Sequence, residues 1–122
     1  ELNLQRRPPS LRARTSEDNV RSTIDFMNQN LSRALTLDEL ARHARLSPSH
    51  YSATFRRITG YAPMTFFLRK KMLKAAEVLR TRNRKVSEVA GLLGIEDPYY
   101  FSRLFKRVHG ISPTGYRASG DA

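Results

Sequence analysis

The chain repeats itself, and the repeat limits what it can fold into. Displaced by 50 positions, Pro48 falls on Pro98, Ser52 on Ser102, Phe55 on Phe105, Arg57 on Arg107, Gly60 on Gly110 and Pro63 on Pro113. Tyr51/Phe101, Arg56/Lys106 and Ile58/Val108 are conservative partners in the same register. Upstream the displacement drops to 49, setting Glu39 on Glu88 and Ala41 on Ala90, so the second copy holds one extra residue in its connection. Chance agreement between two amphipathic helices explains the apolar matches but not the shared Pro, Gly and Ser. Two copies mean a duplicated supersecondary unit, because a solenoid needs three or more repeats. The fold must build one local motif twice.

The punctuation of that motif is helical. Thr15 or Ser16 caps a helix whose Val20, Ile24, Met27 and Leu31 share one face. Thr36 and Glu39 form a capping box ahead of Leu37, Leu40, Ala41 and Ala44. Ser47-Pro48 places a cap and an N1 proline before Tyr51, Thr54, Phe55 and Ile58, with Gly60 as the stop. Pro63 opens a longer stretch with Met64, Phe67, Leu68, Met72, Ala75 and Leu79 on one face. Val86, Val89, Ala90 and Leu93 make a short helix ending at Gly94. Asp97-Pro98 starts the next, carrying Phe101, Leu104, Phe105 and Val108 to Gly110, and Ser112-Pro113 begins a last turn or two bearing Tyr116. No segment alternates with period two, so the expectation is all α with seven helices. Residues 1–15, with Pro8, Pro9 and four Arg, read as a linker or disordered arm. Units follow at 16–62 and 83–122, joined by a connecting helix over 63–82.

Each unit has the pattern of a helix-turn-helix: a short helix, three or four residues, then a second helix suited to a major groove. Ala41 and Ala90 sit where two backbones approach closely, and Leu46 and Ile95 close the turn. Helical phase leaves Ser49, His50, Ser52, Ala53 and Arg56 outward on the first reading helix. On the second it leaves Tyr99, Tyr100, Ser102, Arg103 and Lys106 outward, although one of the two tyrosines can equally be core. Arg103 can fork onto guanine O6 and N7, Ser49 and Ser52 suit several bases, and Ala53 offers only a methyl. About 18 residues of connecting helix span ~27 Å, close to the ~34 Å between successive major grooves on one face of a duplex. Along and just after it run Arg69, Lys70, Lys71, Lys74, Arg80, Arg82, Arg84 and Lys85, against Glu77 alone. Such cations suit phosphate, which gives affinity without sequence information. Arg57, Thr65, Lys106, Arg107 and Thr114 complete the expected phosphate set.

Composition points the same way. Lys and Arg total 22 against 11 Asp and Glu, a net +11, which favours a polyanionic partner. With no cysteine there is no disulfide framework, thiolate metal site or Cys nucleophile. The three histidines, His43, His50 and His109, lie in no HExxH motif, and no glycine loop is built to cradle phosphate. Neither an enzyme nor a metal or other cofactor is expected. A rival reading, a basic module for RNA or an acidic protein, fits less well, because the aromatics fall on core phases instead of on an exposed stacking platform. No run approaches a membrane span and no charged-then-apolar leader opens the chain, so a cytoplasmic location at the bacterial nucleoid is expected. Glu1 in place of Met suggests a piece of a longer protein.

The stretch Asp97-Pro98-Tyr99-Tyr100-Phe101-Ser102-Arg103-Leu104-Phe105-Lys106-Arg107, with Gly110-Ile111-Ser112-Pro113 and Tyr116-Arg117, closely resembles the signature of AraC/XylS-type bacterial transcription regulators. The resemblance covers about Asn19 to Arg117. It implies two helix-turn-helix subdomains joined by a long helix and bound to an asymmetric DNA site in two adjacent major grooves. It also implies activation through RNA polymerase, as in most relatives, and an absent N-terminal effector or dimerisation domain, leaving this piece monomeric. The family's base-reading places fall on Ser49, Ser52, Ala53 and Arg56, then on Pro98, Tyr99, Tyr100, Ser102 and Arg103. Ala53 and Pro98 lack hydrogen-bonding side chains. Ile95 stands where the family commonly has an aromatic residue. Arg45 occupies the turn position matched by Gly94, where left-handed backbone is expected.

Overall fold

The structure, a computed structural model, describes residues 15–81 and 83–120. Nearly all of the expected N-terminal arm, and Arg82, lie outside them. Among the described residues there are seven helices and no strand, in the order α1 (Ser16–Gln29), α2 (Leu37–His43), α3 (Pro48–Thr59), α4 (Pro63–Leu79), α5 (Val86–Leu92), α6 (Pro98–His109) and α7 (Pro113–Gly120).

Local chemistry sets the helix starts. Thr15 Oγ1 accepts from the Asp18 amide at 3.0 Å and Asp18 Oδ2 accepts from the Thr15 amide at 3.1 Å. Thr36 and Glu39 make the same reciprocal pair at 3.1 Å each way. These boxes satisfy amides that the first helical turn leaves without a partner. At α5 the Lys85 side chain has no acceptor to offer, and only half the box remains: Lys85 N–H donates to Glu88 Oε1 at 2.6 Å.

Two cores form. Val20, Met27, Leu35, Leu40, Ala41, Ala44, Tyr51, Phe55 and Phe67 fill the first, and Met72, Ala75, Leu79, Val89, Ala90, Leu93, Ile95, Phe101, Leu104 and Phe105 fill the second. Half-buried Leu31 packs against both. The connecting helix α4 serves each core in turn, giving Phe67 to one and Met72, Ala75 and Leu79 to the other. Its 17 residues contain no internal Pro or Gly, so it runs unbroken for about 26 Å. It ends at Leu79, with Arg80 as its cap, earlier than the expected 82. There α7 grips it: Arg117 Nε donates to the Leu79 carbonyl at 3.1 Å and Arg80 Nε to the Tyr116 hydroxyl at 3.2 Å.

Candidate nucleic-acid interface

The two reading helices are built alike. Both α3 and α6 have 12 residues, an N1 proline and a left-handed glycine cap, Gly60 at φ 84° and Gly110 at φ 80°. Ser47 Oγ accepts from the His50 amide at 3.2 Å, and Asp97 Oδ1 accepts from the Tyr99 amide at 2.9 Å. Residue by residue, 51–63 and 101–113 share one sequence of buried, half-buried and exposed positions. Tyr51/Phe101, Thr54/Leu104 and Phe55/Phe105 face inward in both. The turns match too: the amides of Leu46 and Ile95 donate to the carbonyls of Ala41 and Ala90, each at 3.0 Å. Arg45 adopts φ 60° where Gly94 has φ 72°. The αL backbone expected at Arg45 is present.

Opposite those buried faces lie the candidate readers. Ser49, His50, Ala53 and Arg56 are exposed on α3 and Ser52 is half-buried beside them. On α6, Tyr99 is 77% and Tyr100 41% exposed, so neither is core. Arg103 and Lys106 are exposed, and Ser102 and Pro98 half-buried. The shared scaffold therefore displays small hydroxyls, a methyl, an imidazole and Arg56 from one copy, and two phenols and the Arg103 fork from the other. Each reading helix is held from behind. The Tyr51 hydroxyl meets Thr23 Oγ1 at 2.8 Å while Thr23 donates to the Val20 carbonyl at 2.6 Å, tying α3 to α1. Burial pushes the Tyr51 phenol up to about 12. In the second copy, His109 Nε2 donates to the Met72 carbonyl at 2.9 Å and its ring lies 4.3 Å from that of Phe105.

The cations divide by environment. Arg84, Lys85, Lys106 and Arg107 are exposed, as are Thr65 and Thr114 in the first turns of α4 and α7. Arg57 meets Glu17 at 2.6 Å, and its guanidinium holds that carboxyl below the usual range. Lys74 reaches Glu77 at 3.5 Å. Arg69 lies 5.0 Å over the Tyr61 ring and Lys70 5.5 Å over Phe66, placements that immobilise the stems and leave the charge at the surface. Lys71 departs from the expectation. It is 3% exposed and its ammonium donates to three carbonyls, of Leu31 and Arg33 at 2.8 Å and of Leu93 at 2.5 Å. All three of its donors are used. Lys71 is not available to phosphate. Beside it, a cleft of about 450 Å³ lined in part by Leu35, Met64, Leu68, Tyr100 and Arg103 separates the two reading units.

A helix-turn-helix domain family matches residues 40–119. Over 92 residues the chain is 38% identical to the MmsAB operon regulatory protein of Pseudomonas aeruginosa, covering 75% of this chain and 30% of that one. It is 33% identical to the transcriptional activator AarP of Providencia stuartii, covering 77% of this chain and 70% of AarP. This chain belongs to the AraC-type helix-turn-helix family. The crystallised DNA-binding domain of the transcriptional factor AdpA, in complex with a target DNA, superposes with a TM-score of 0.79 at 30% identity, covering 83% of this chain and 91% of that domain. AraC-type proteins are DNA-binding transcription regulators and not enzymes. The chain spans about a third of the length of the full regulators it matches. No helix among the described residues is long and apolar enough to cross a membrane.

Within this AraC-type domain, the side chains that hold the readers were partly hidden from sequence reasoning. Lys71 was legible: it lies four residues after Phe67 and four before Ala75, on the buried phase of α4, and that spacing outweighs the charge run it sits in. Arg117, which also donates Nη2 to the Thr81 carbonyl at 3.3 Å, carried no such local signal, because its partners are backbone groups 36 and 38 residues away.

Proposed function

We propose that the chain binds double-stranded DNA sequence-specifically as the reading domain of a bacterial transcription regulator, with α3 and α6 in successive major grooves of an asymmetric site. One observation carries this reading. Two helices with the same caps and the same buried face display different outward chemistry from the ends of an unbroken helix of roughly groove-to-groove length. Units at 16–62 and 83–122 would act through the connecting segment 63–82. Ser49, His50, Ser52, Ala53 and Arg56 read one groove, and Tyr99, Tyr100, Ser102 and Arg103 the next. Arg57, Thr65, Arg69, Lys70, Lys74, Arg84, Lys85, Lys106, Arg107 and Thr114 supply phosphate contacts. Activation through RNA polymerase, control by an effector or dimerisation domain elsewhere in the full protein, a monomeric reading domain and action at the nucleoid complete the proposal.

Selection of bound duplexes from a random library tests it. The expected product is one site with two dissimilar half-sites about one helical turn apart. An inverted repeat, or preferential binding of single-stranded RNA in competition, would overturn it.

A further inference from the structure

The seam between the two units brings main-chain groups of both together around one lysine. On one side are the carbonyls of Leu31 and Arg33, just past the end of α1, and on the other is that of Leu93, the C-cap of α5. Carbonyls at helix ends have no intrahelical partner. One ammonium, carried on the helix common to both units, satisfies all three, under the Phe67 ring at 4.6 Å. One residue further along the same seam, Gly94 lies so close to the first unit that an added Cβ would stand 2.6 Å from the Ser32 carbonyl oxygen. Two independent contacts thus tie residues 31–33 to residues 93–94. Neither belongs to the reading surface.

We infer that Lys71 is a positioning residue that locks the two reading units into one rigid body and so fixes the spacing at which α3 and α6 meet a duplex. The DNA consequence rests on the function proposed above, whereas the lock itself is a property of the free protein. Without the three bonds, the close approach of Gly94 to Ser32, the Leu31 packing and the α4 backbone remain between the units, and a helix can bend where its side contacts are lost. A loosened pair of readers still fits either half-site alone. It loses the advantage of presenting the second reader at high effective concentration to the second half-site.

Two measurements on the full chain test this. The chain has no native cysteine, so spin labels on an A53C/K106C double variant report the distance between α3 and α6 without DNA. With Lys71 present, one narrow distribution is expected. Adding K71M should at least double its width, and K71R, which keeps several donors, should restore most of the sharpness. A folded K71M with unchanged width would refute the lock. Loss of the folded state would refute it as well, because a positioning residue leaves each core intact. The second measurement uses the selected duplex and its separate halves. K71M should bind the whole site at least tenfold more weakly, keep each half-site within about twofold, and leave the salt dependence unchanged. Equal losses on whole and half sites, with a salt slope shallower by about one, would make Lys71 a phosphate contact instead. If the parent chain bound no duplex specifically, the functional proposal would fail while the spin-label result still decided the lock.

Discussion

Arg45 and Gly94 hold the same turn position in the two copies, at φ 60° and 72°, which makes a reciprocal exchange informative. A left-handed residue with a Cβ costs about 1–2 kcal/mol. Gly94→Ala incurs that cost, recovers about 0.4–1 kcal/mol through a less flexible unfolded chain, and drives its Cβ to 2.6 Å from the Ser32 carbonyl oxygen. That contact is with backbone, and the neighbouring carbonyls of Leu31 and Arg33 are held by Lys71, so the clash is not easily relieved. Overpacking of this kind costs about 1–3 kcal/mol. The net is a destabilisation of roughly 1–5 kcal/mol, or about 4–20 °C in melting temperature for a domain of this size. Arg45→Gly removes the strain and adds unfolded-state freedom, leaving a gain between zero and about 1 kcal/mol. Thermal unfolding followed by far-ultraviolet circular dichroism measures both. A Gly94→Ala loss under 2 °C, or equal and opposite shifts for the two variants, would show that the seam is looser than described and that φ alone governs the position.

Arg103→Ala should cost about 1–3 kcal/mol on the selected site and almost nothing on random duplex, measured by equilibrium binding to both; equal losses would reassign Arg103 to phosphate. Lys106→Ala should weaken all duplexes alike and reduce the magnitude of the salt slope by about one, read from affinity against salt concentration. Tyr51→Phe should lower stability by about 1 kcal/mol, because Thr23 keeps its bond to the Val20 carbonyl and only one buried hydrogen bond is lost. In the alkaline range two buried groups act oppositely. Burial lowers Lys71 to about 8 from 10.5, so between those values the unfolded chain holds the extra proton and stability rises with pH. Tyr51 is raised to about 12 from 10.0, so above pH 10 the unfolded phenol ionises first and stability falls. Denaturant titrations from pH 7 to 11.5 should show the rise abolished by K71M and the fall abolished by Tyr51→Phe.

The helices, their caps and the exposed faces of α3 and α6 were legible because their causes are local. Thr36 lies three residues from Glu39, Pro48 and Pro98 mark N1, and Gly60 and Gly110 mark the stops, so each is decided within one turn of chain. The repeat doubled that information, since a pattern weak in one copy was corroborated in the other. The tyrosine ambiguity was real at that level: Tyr99 and Tyr100 are neighbours on a helix start, and only the tertiary packing leaves both exposed, Tyr100 at the cleft. What joins the two units was not legible in the same way. The acceptors of Lys71 are main-chain oxygens 22 to 40 residues distant, and a carbonyl freed by a helix end has no residue identity to read. Reading the lysine by its charge placed it on the surface, whereas its phase placed it in the core.

Because α3 and α6 share one pattern of buried positions while the side chains proposed to read DNA lie outside both hydrophobic cores, folding and the proposed recognition draw on largely separate sets of positions. Under the proposed reading, substitutions at Ser49, Ala53, Tyr99 or Arg103 would change the preferred site while leaving both hydrophobic centres intact. One scaffold can thus supply many regulators, each half free to diverge on its own.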